Sequence, residues 1–250
     1  MKLTFRDAID FGTNILDIDV PKHLTKKFST GLEWIDAAMG GEGFTPSSVT
    51  LFTGTPGAGK TTMMLTLADS ITKNGGVALF NTAEESLYQV RMVAKRLRLR
   101  NGFLTGATNN VTELLENAEK VMKLKKNKGK QFFLMVDSLQ CMDDGKYSNG
   151  LLTSGTAIRC LQMITDWCKE HHACAVIINQ VNKQGKMSGS NKLKHMVDAH
   201  MHLGVEVREE ELKGCRVLET QKNRFGGCGH IFFLSIHATG FTEVARVSAA

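Results

Sequence analysis

The stretch VTLFTGTPGAGKTT, residues 49–62, decides the fold. It opens with a short apolar run that leads into glycine-rich sequence, the pattern of a buried strand. Residues 54–61 then fit GxxxxGK[ST]. Glycines let successive backbone N–H groups wrap phosphate oxygens, the lysine reaches the β/γ oxygens, and the threonine hydroxyl ligates Mg²⁺. Gly54, Thr55, Pro56, Gly57, Ala58, Gly59, Lys60, Thr61 and Thr62 are therefore the candidate residues for binding ATP with Mg²⁺. The pattern alone has false positives. Here it lies between a strand-like run and a proline-free segment with helical apolar spacing, residues 60–74, which is the context the mechanism needs.

Outward from this loop the chain alternates. Residues 77–81, 132–137 and 173–179 read as buried strands, and residues 85–99, 111–126 and 155–172 as helices. Beyond them, residues 199–207, 215–221 and 230–236 read as strands joined by short turns. Alternation followed by hairpins implies an α/β fold, with a mostly parallel central sheet, helices on both faces and an antiparallel C-terminal extension at one edge. Residues 1–28 have weak periodicity and read as an appendage; residues 29–250 read as one domain.

A phosphate-loop nucleotidase also needs an acid on the metal side. Asp137 closes the apolar run FFLMVD and would hold Mg²⁺ through water. Glu84 and Glu85 follow the strand at 77–81, where a carboxylate can orient or deprotonate water. Either could instead be an acid favoured at a helix N-terminus. Gln180 ends another central strand, where an amide can sense the γ-phosphate. These strand ends share one crevice, the place where open α/β sheets bind ligands.

The bulk properties narrow the class. Of 250 residues, 42% are hydrophobic and 22% charged, an ordinary globular composition. The net charge of +6 permits an anionic partner without demanding one. No apolar run approaches the ~18 residues of a membrane span, and the first twenty residues lack the apolar core of a signal peptide. The six cysteines form no CxxC pair and read as reduced thiols of a cytoplasmic protein. His195, His200 and His202 cluster in sequence but lack ligand spacing to a cysteine or carboxylate; they read as one loop histidine and two on one strand face, not as a metal site.

Together these residues resemble the RecA-like P-loop ATPases, and most closely the bacterial RadA/Sms family. The likeness runs from STGLEWIDAAMGGEGFTPSSVTLFTGTPGAGKTT (29–62) through NTAEESLYQVRMVAKRL, VDSLQ, KHMVDAHMHL and KNRFG to ATGFTEV. KNRFG, residues 222–226, is its most specific piece. The resemblance implies a RecA-like ATPase core with Glu84 as catalytic glutamate, Asp137 as Walker B acid, and Lys60 and Thr61 on nucleotide and metal. It further implies a ring or filament with ATP between subunits, in which Lys222 and Arg224 reach the next subunit's γ-phosphate. That would explain two cations at the tip of an apparent hairpin. Three departures stand out. Residues 1–28 hold no cysteine for the family's four-cysteine zinc module, the 250 residues do not include its Lon-protease-like domain, and NQVNK replaces a histidine-containing sensor, more like the RecA recombinases.

In RecA-like rings the segment after the sensor faces single-stranded DNA. Here it is VNKQGKMSGSNKLKH (181–195), with Lys183, Lys186, Lys192 and Lys194; its Gly/Ser/Asn content predicts a mobile loop. A second candidate is residues 141–155, with Lys146 for phosphate and Tyr147 to stack a base. The expected function is a DNA-dependent ATPase of recombination and repair. A DnaB-like ring helicase and a KaiC-like ATP-driven switch that ignores DNA are the alternatives.

Overall fold

In the computed structural model, residues 9–147, 150–180 and 190–248 are described. In chain order the elements are α1 (Glu33–Ala38), β1 (Val49–Gly54), α2 (Lys60–Lys73), β2 (Val77–Thr82), α3 (Leu87–Arg96), β3 (Leu104–Gly106), α4 (Val111–Met122), β4 (Phe132–Asp137), α5 (Ser154–His171), β5 (Cys174–Gln180), α6 (Ser190–Met196), β6 (Ala199–Val205), β7 (Arg216–Asn223), β8 (Ile231–His237) and β9 (Gly240–Val247). They build one nine-stranded sheet in the order β3-β2-β4-β5-β1-β6-β7-β8-β9. The strands from β3 to β6 pair in parallel, and β7, β8 and β9 continue antiparallel. This is the expected α/β architecture.

The four central strands β1, β2, β4 and β5 are buried nearly throughout, because helices cover both faces. Side chains alternate between two cores. Phe52, Phe80, Phe133 and Val176 face the side of α2, with Met64, Leu65 and Ala68. Leu51, Leu79, Leu134 and Ile177 face the side of α4 and α5, with Leu115, Leu161 and Ile164. The loop after β1 thus emerges at the C-terminal edge of the sheet, beside the ends of β4 and β5.

Two local expectations change. Residues 190–196 form a helix, although their composition predicts a loop. Leu193 and Val197 are fully buried in the α4/α5 core, and packing of an apolar edge outweighs weak intrinsic propensity. His195 accordingly lies on a helix rather than a loop. Second, Lys222 is still within β7 and opposite His200, so the turn proper starts beyond it, and β9 adds a strand outside the predicted set. Residues 9–27 are mostly exposed, and the chain first pairs with the core through mutual backbone hydrogen bonds of Phe28 and Phe44, 2.7 and 2.9 Å.

Candidate functional site: a phosphate loop and its strand-end carboxylates

The phosphate loop spans the end of β1 and the start of α2. Its backbone depends on glycine at two places. A Cβ on Gly54 would meet the Leu203 carbonyl at 2.3 Å, and Gly59 has φ +103° with Phe241 and Ile236 crowding the same space. Lys60 Nζ donates to the carbonyls of Gly54 (2.9 Å) and Thr55 (3.0 Å), so its ammonium lies folded along the loop. Burial lowers its pKa, against the pull of the Asp137 and Glu84 carboxylates.

Thr61 Oγ1 donates to Asp137 Oδ2 at 2.6 Å, which joins the start of α2 to the end of β4. Burial pushes the Asp137 carboxyl up to about 6; the Thr61 hydrogen bond opposes this, and the charges of Glu84 and Glu85 add to it. A hydroxyl and a carboxylate are the hard oxygen donors that Mg²⁺ prefers, and a carboxyl so disfavoured as an anion gains from a cation beside it. The residues present therefore fit Mg²⁺ with ATP.

The structure separates the two glutamates. Glu84 Oε1 accepts from Ser138 Oγ (2.8 Å), Cys141 Sγ (3.2 Å) and Gln180 Nε2 (2.8 Å), and Glu84 Oε2 accepts from Gln180 Nε2 at 3.1 Å. Among the described residues, Glu85 makes hydrogen bonds through its backbone, exchanged with Thr82 Oγ1, and reaches Asp137 only as a charge. Glu84, Asp137 and Gln180 thus meet at the ends of β2, β4 and β5. Gln140 Nε2 donates to the Gln180 carbonyl at 3.0 Å and braces that strand end. Burial and Glu84 push the Cys141 thiol up to about 11, so it stays a neutral donor to that carboxylate.

Several neighbours escaped the motif reading. Arg216 Nε donates to the Ala58 carbonyl at 3.2 Å, a contact that only the β6–β7 pairing creates. Thr53 Oγ1 lies 2.8 Å from His200 Nε2 and 3.0 Å from His202 Nδ1, so the two strand histidines brace the residue before Gly54. Asn179 is fully buried, and among the described residues neither amide atom has a hydrogen-bond partner. The INQ sequence offered the signal, a polar residue inside an apolar strand.

Lys222 and Arg224 lie elsewhere. Lys222 Nζ donates to the carbonyls of Lys194 (2.9 Å) and Val197 (2.6 Å), near the C-terminal end of α6, where carbonyls lack helical partners. Arg224 N donates to the Asp198 carbonyl, and its guanidinium pairs with Asp198 Oδ1 at 3.3 Å. Asp198 Oδ2 in turn accepts from Val49 N, at the start of β1. The five steps of strand from Val49 to Gly54 put Arg224 roughly 16 Å along the sheet from its own phosphate loop, beyond the span of an arginine side chain. Of the expected DNA-contacting lysines, Lys192 and Lys194 lie on α6, while Lys183 and Lys186 fall outside the described residues. In the second candidate loop, Tyr147 sits against Arg159 (5.5 Å) and Lys146 (5.9 Å), and Arg159 pairs with Asp144.

No family model matches the chain. Among curated proteins, it is 31% identical over 232 residues to the DNA repair protein RadA of Aquifex aeolicus, covering 92% of this chain and 49% of that protein. It is 30% identical over 225 residues to RadA of Haemophilus influenzae, covering 90% and 46%. The chain thus spans about half the length of the curated relatives it matches. Among solved structures, the ATPase domain of G40P superposes with a TM-score of 0.74 at 14% identity, covering 90% of this chain and 93% of that one. A DnaB-like replicative helicase gives 0.74 at 15%, covering 88% and 62%. Sheet order, site geometry and sequence matches agree: the chain carries a RecA-like P-loop ATPase core of the RadA type.

Proposed function

We propose that this core is a DNA-stimulated ATPase of recombination and repair that hydrolyses ATP between subunits and binds single-stranded DNA. The observation that carries the reading is the pair of hydrogen bonds from Gln180 to Glu84. Gln180 is the last residue of β5, and the lysine-bearing segment 181–194 follows it directly. A pull on that segment is therefore felt at the carboxylate placed to handle the attacking water.

In this reading the loop amides and Lys60 hold the triphosphate, and Thr61 and Asp137 hold Mg²⁺, which offsets phosphate charge when bound. Glu84 orients the water and accepts its proton at a carboxylate oxygen. Gln180 and Ser138 fix that carboxylate in place. Lys222 and Arg224 approach the γ-phosphate of a second copy, since their own crevice is out of reach, and stabilise charge developing there. Exposed apolar side chains support assembly. Ile9, Phe11, Ile15, Leu16 and Val20 are each at least half exposed along the N-terminal segment, and Tyr88 and Met92 on α3 are 85% and 70% exposed.

The DnaB-like alternative rests on the solved structures above, which share the fold at low identity. The deciding experiment is the ATPase rate with and without single-stranded DNA, with Lys60→Ala as the control. Stimulation by DNA is expected, with turnover lost in the variant. A DNA-insensitive rate would move the protein to the switch class, and forked-duplex unwinding to the helicase class.

A further inference from the structure

The turn that leads from α4 into β4 reads KLKKNKGK, residues 123–130: five lysines in eight residues, with no carboxylate. Lys123, Lys125, Lys126, Lys128 and Lys130 are all exposed. The turn is held from inside. Asn127 is buried, its Nδ2 donates to the Val121 carbonyl at 2.8 Å, and its N–H donates to the Leu124 carbonyl at 2.8 Å. Its own carbonyl accepts from Lys130 N at 3.2 Å. The lysines therefore project from one fixed turn. Among the described residues, only Lys123 of the five has a carboxylate partner, Glu119 at 2.6 Å.

This placement is not an even scatter of solvating charge. The chain's net charge is +6, so this one turn carries nearly the whole excess. Grouping like charges costs self-repulsion that an anionic partner relieves. Beside the turn a groove of about 410 Å³ is lined by Lys126, Lys130, Asn101, Thr72 and Phe103. Arg98 and Arg100 are exposed and lie within three residues of Asn101 in the chain. Leu124 is the one exposed large apolar residue of the turn. A protein partner needs an apolar anchor at the centre of its interface; a phosphodiester backbone needs only spaced cations and hydrogen-bond donors.

We propose that the 123–130 turn, with Arg98 and Arg100, is a nucleic-acid backbone site. It lies at the N-terminal end of β4, roughly 17 Å of strand from Asp137, and so is separate from the phosphate loop and from the lysines that follow Gln180. It requires no particular reading of the ATP crevice. A subunit with two such surfaces can hold two strands at once.

The test is fluorescence anisotropy of the whole chain with labelled single-stranded and duplex oligonucleotides across a salt series. Lys125, Lys126, Lys128 and Lys130 are changed to alanine together, with Asn127 kept. The slope of log K against log salt should fall by about 0.9 per lost contact on duplex and about 0.7 on single strand, up to about 3.6 and about 2.8 in total. Which of the two falls identifies the strand state bound. ATP turnover without DNA should not change. On the unmodified protein, acetylation of these lysines should be suppressed by the oligonucleotide. Unchanged slopes on both oligonucleotides overturn the proposal. So does polyglutamate that protects the lysines where DNA does not, which would assign an acidic protein partner.

Discussion

The two ends of β1 hold cations in opposite circumstances. At the C-terminal end, Lys60 lies folded on its own loop carbonyls among the Asp137, Glu84 and Glu85 charges, with Arg216 behind the loop. At the other end, Lys222 and Arg224 share helix-end carbonyls and the single carboxylate of Asp198. The phosphate loop thus carries Lys60 as its own cation, and Lys222 and Arg224 lie too far along the sheet to reach it. In the proposed function a second copy brings the two together, and one sheet presents half a site at each end.

The strongest way to break this comparison is a mixing experiment. Arg224→Ala should lose on the order of 10³-fold or more in turnover, and Lys60→Ala should be inactive. Mixed, the two should regain part of the activity, because a Lys60→Ala subunit still offers its Arg224 to a sound phosphate loop. A dead mixture would return Arg224 to its own subunit, and an active Arg224→Ala protein would make the Asp198 ion pair merely structural. Next in size, Glu84→Gln should keep ATP binding and lose about 10²- to 10⁴-fold in hydrolysis, while Glu85→Gln changes little. The reverse pattern would mean that the hydrogen bonds from Ser138 and Gln180 do not mark the base.

A smaller effect sharpens the link from the crevice to DNA. Changing Lys183, Lys186, Lys192 and Lys194 to alanine should lower the single-strand salt slope by up to about three; an unchanged slope would shift attention to Lys146 and Tyr147. The smallest concerns the brace behind the loop. Burial pushes His200 down to about 4, with Lys194, His202 and Lys222 adding to it. Between the ordinary value of 6.5 and about 4, the unfolded chain binds the proton and the folded chain does not, so stability falls as pH falls through that window. Asp137, pushed up to about 6, gains stability over the same range, so in thermal melts from pH 7 to 4.5 His200→Gln should lose less stability with acid than the unmodified protein. An equal slope in the variant would place the acid sensitivity elsewhere.

The site was legible where chemistry is local. A phosphate loop needs its glycines, lysine and threonine at fixed offsets, and Asp137 announces itself at the end of FFLMVD. The choice between Glu84 and Glu85 was not, because adjacent residues differ only in which one faces Ser138 and Gln180 across the strand ends. Nor was α1. Its six residues hold as a helix because Asp36, buried, accepts from Thr30 N and Thr30 Oγ1, and the Ala38 carbonyl accepts from Thr220 Oγ1 on β7. The α6 segment looked like a loop for the same reason: its stability comes from where Leu193 lands, not from its own propensity.

By itself, then, the sequence determined the phosphate loop, the strand–helix alternation and the position of Asp137 at a strand end, since periodicity and motif spacing are properties of neighbours along the chain. The tertiary structure decided which glutamate enters the crevice, that Arg216, His200 and His202 support the loop, and that Lys222 and Arg224 lie at the opposite end of the sheet from it. The first depends on how the segment after β2 meets the ends of β4 and β5, and the others are facts of register between β1, β6 and β7. Register is set by packing between strands distant in sequence, and a shift of one residue turns each side chain to the other face.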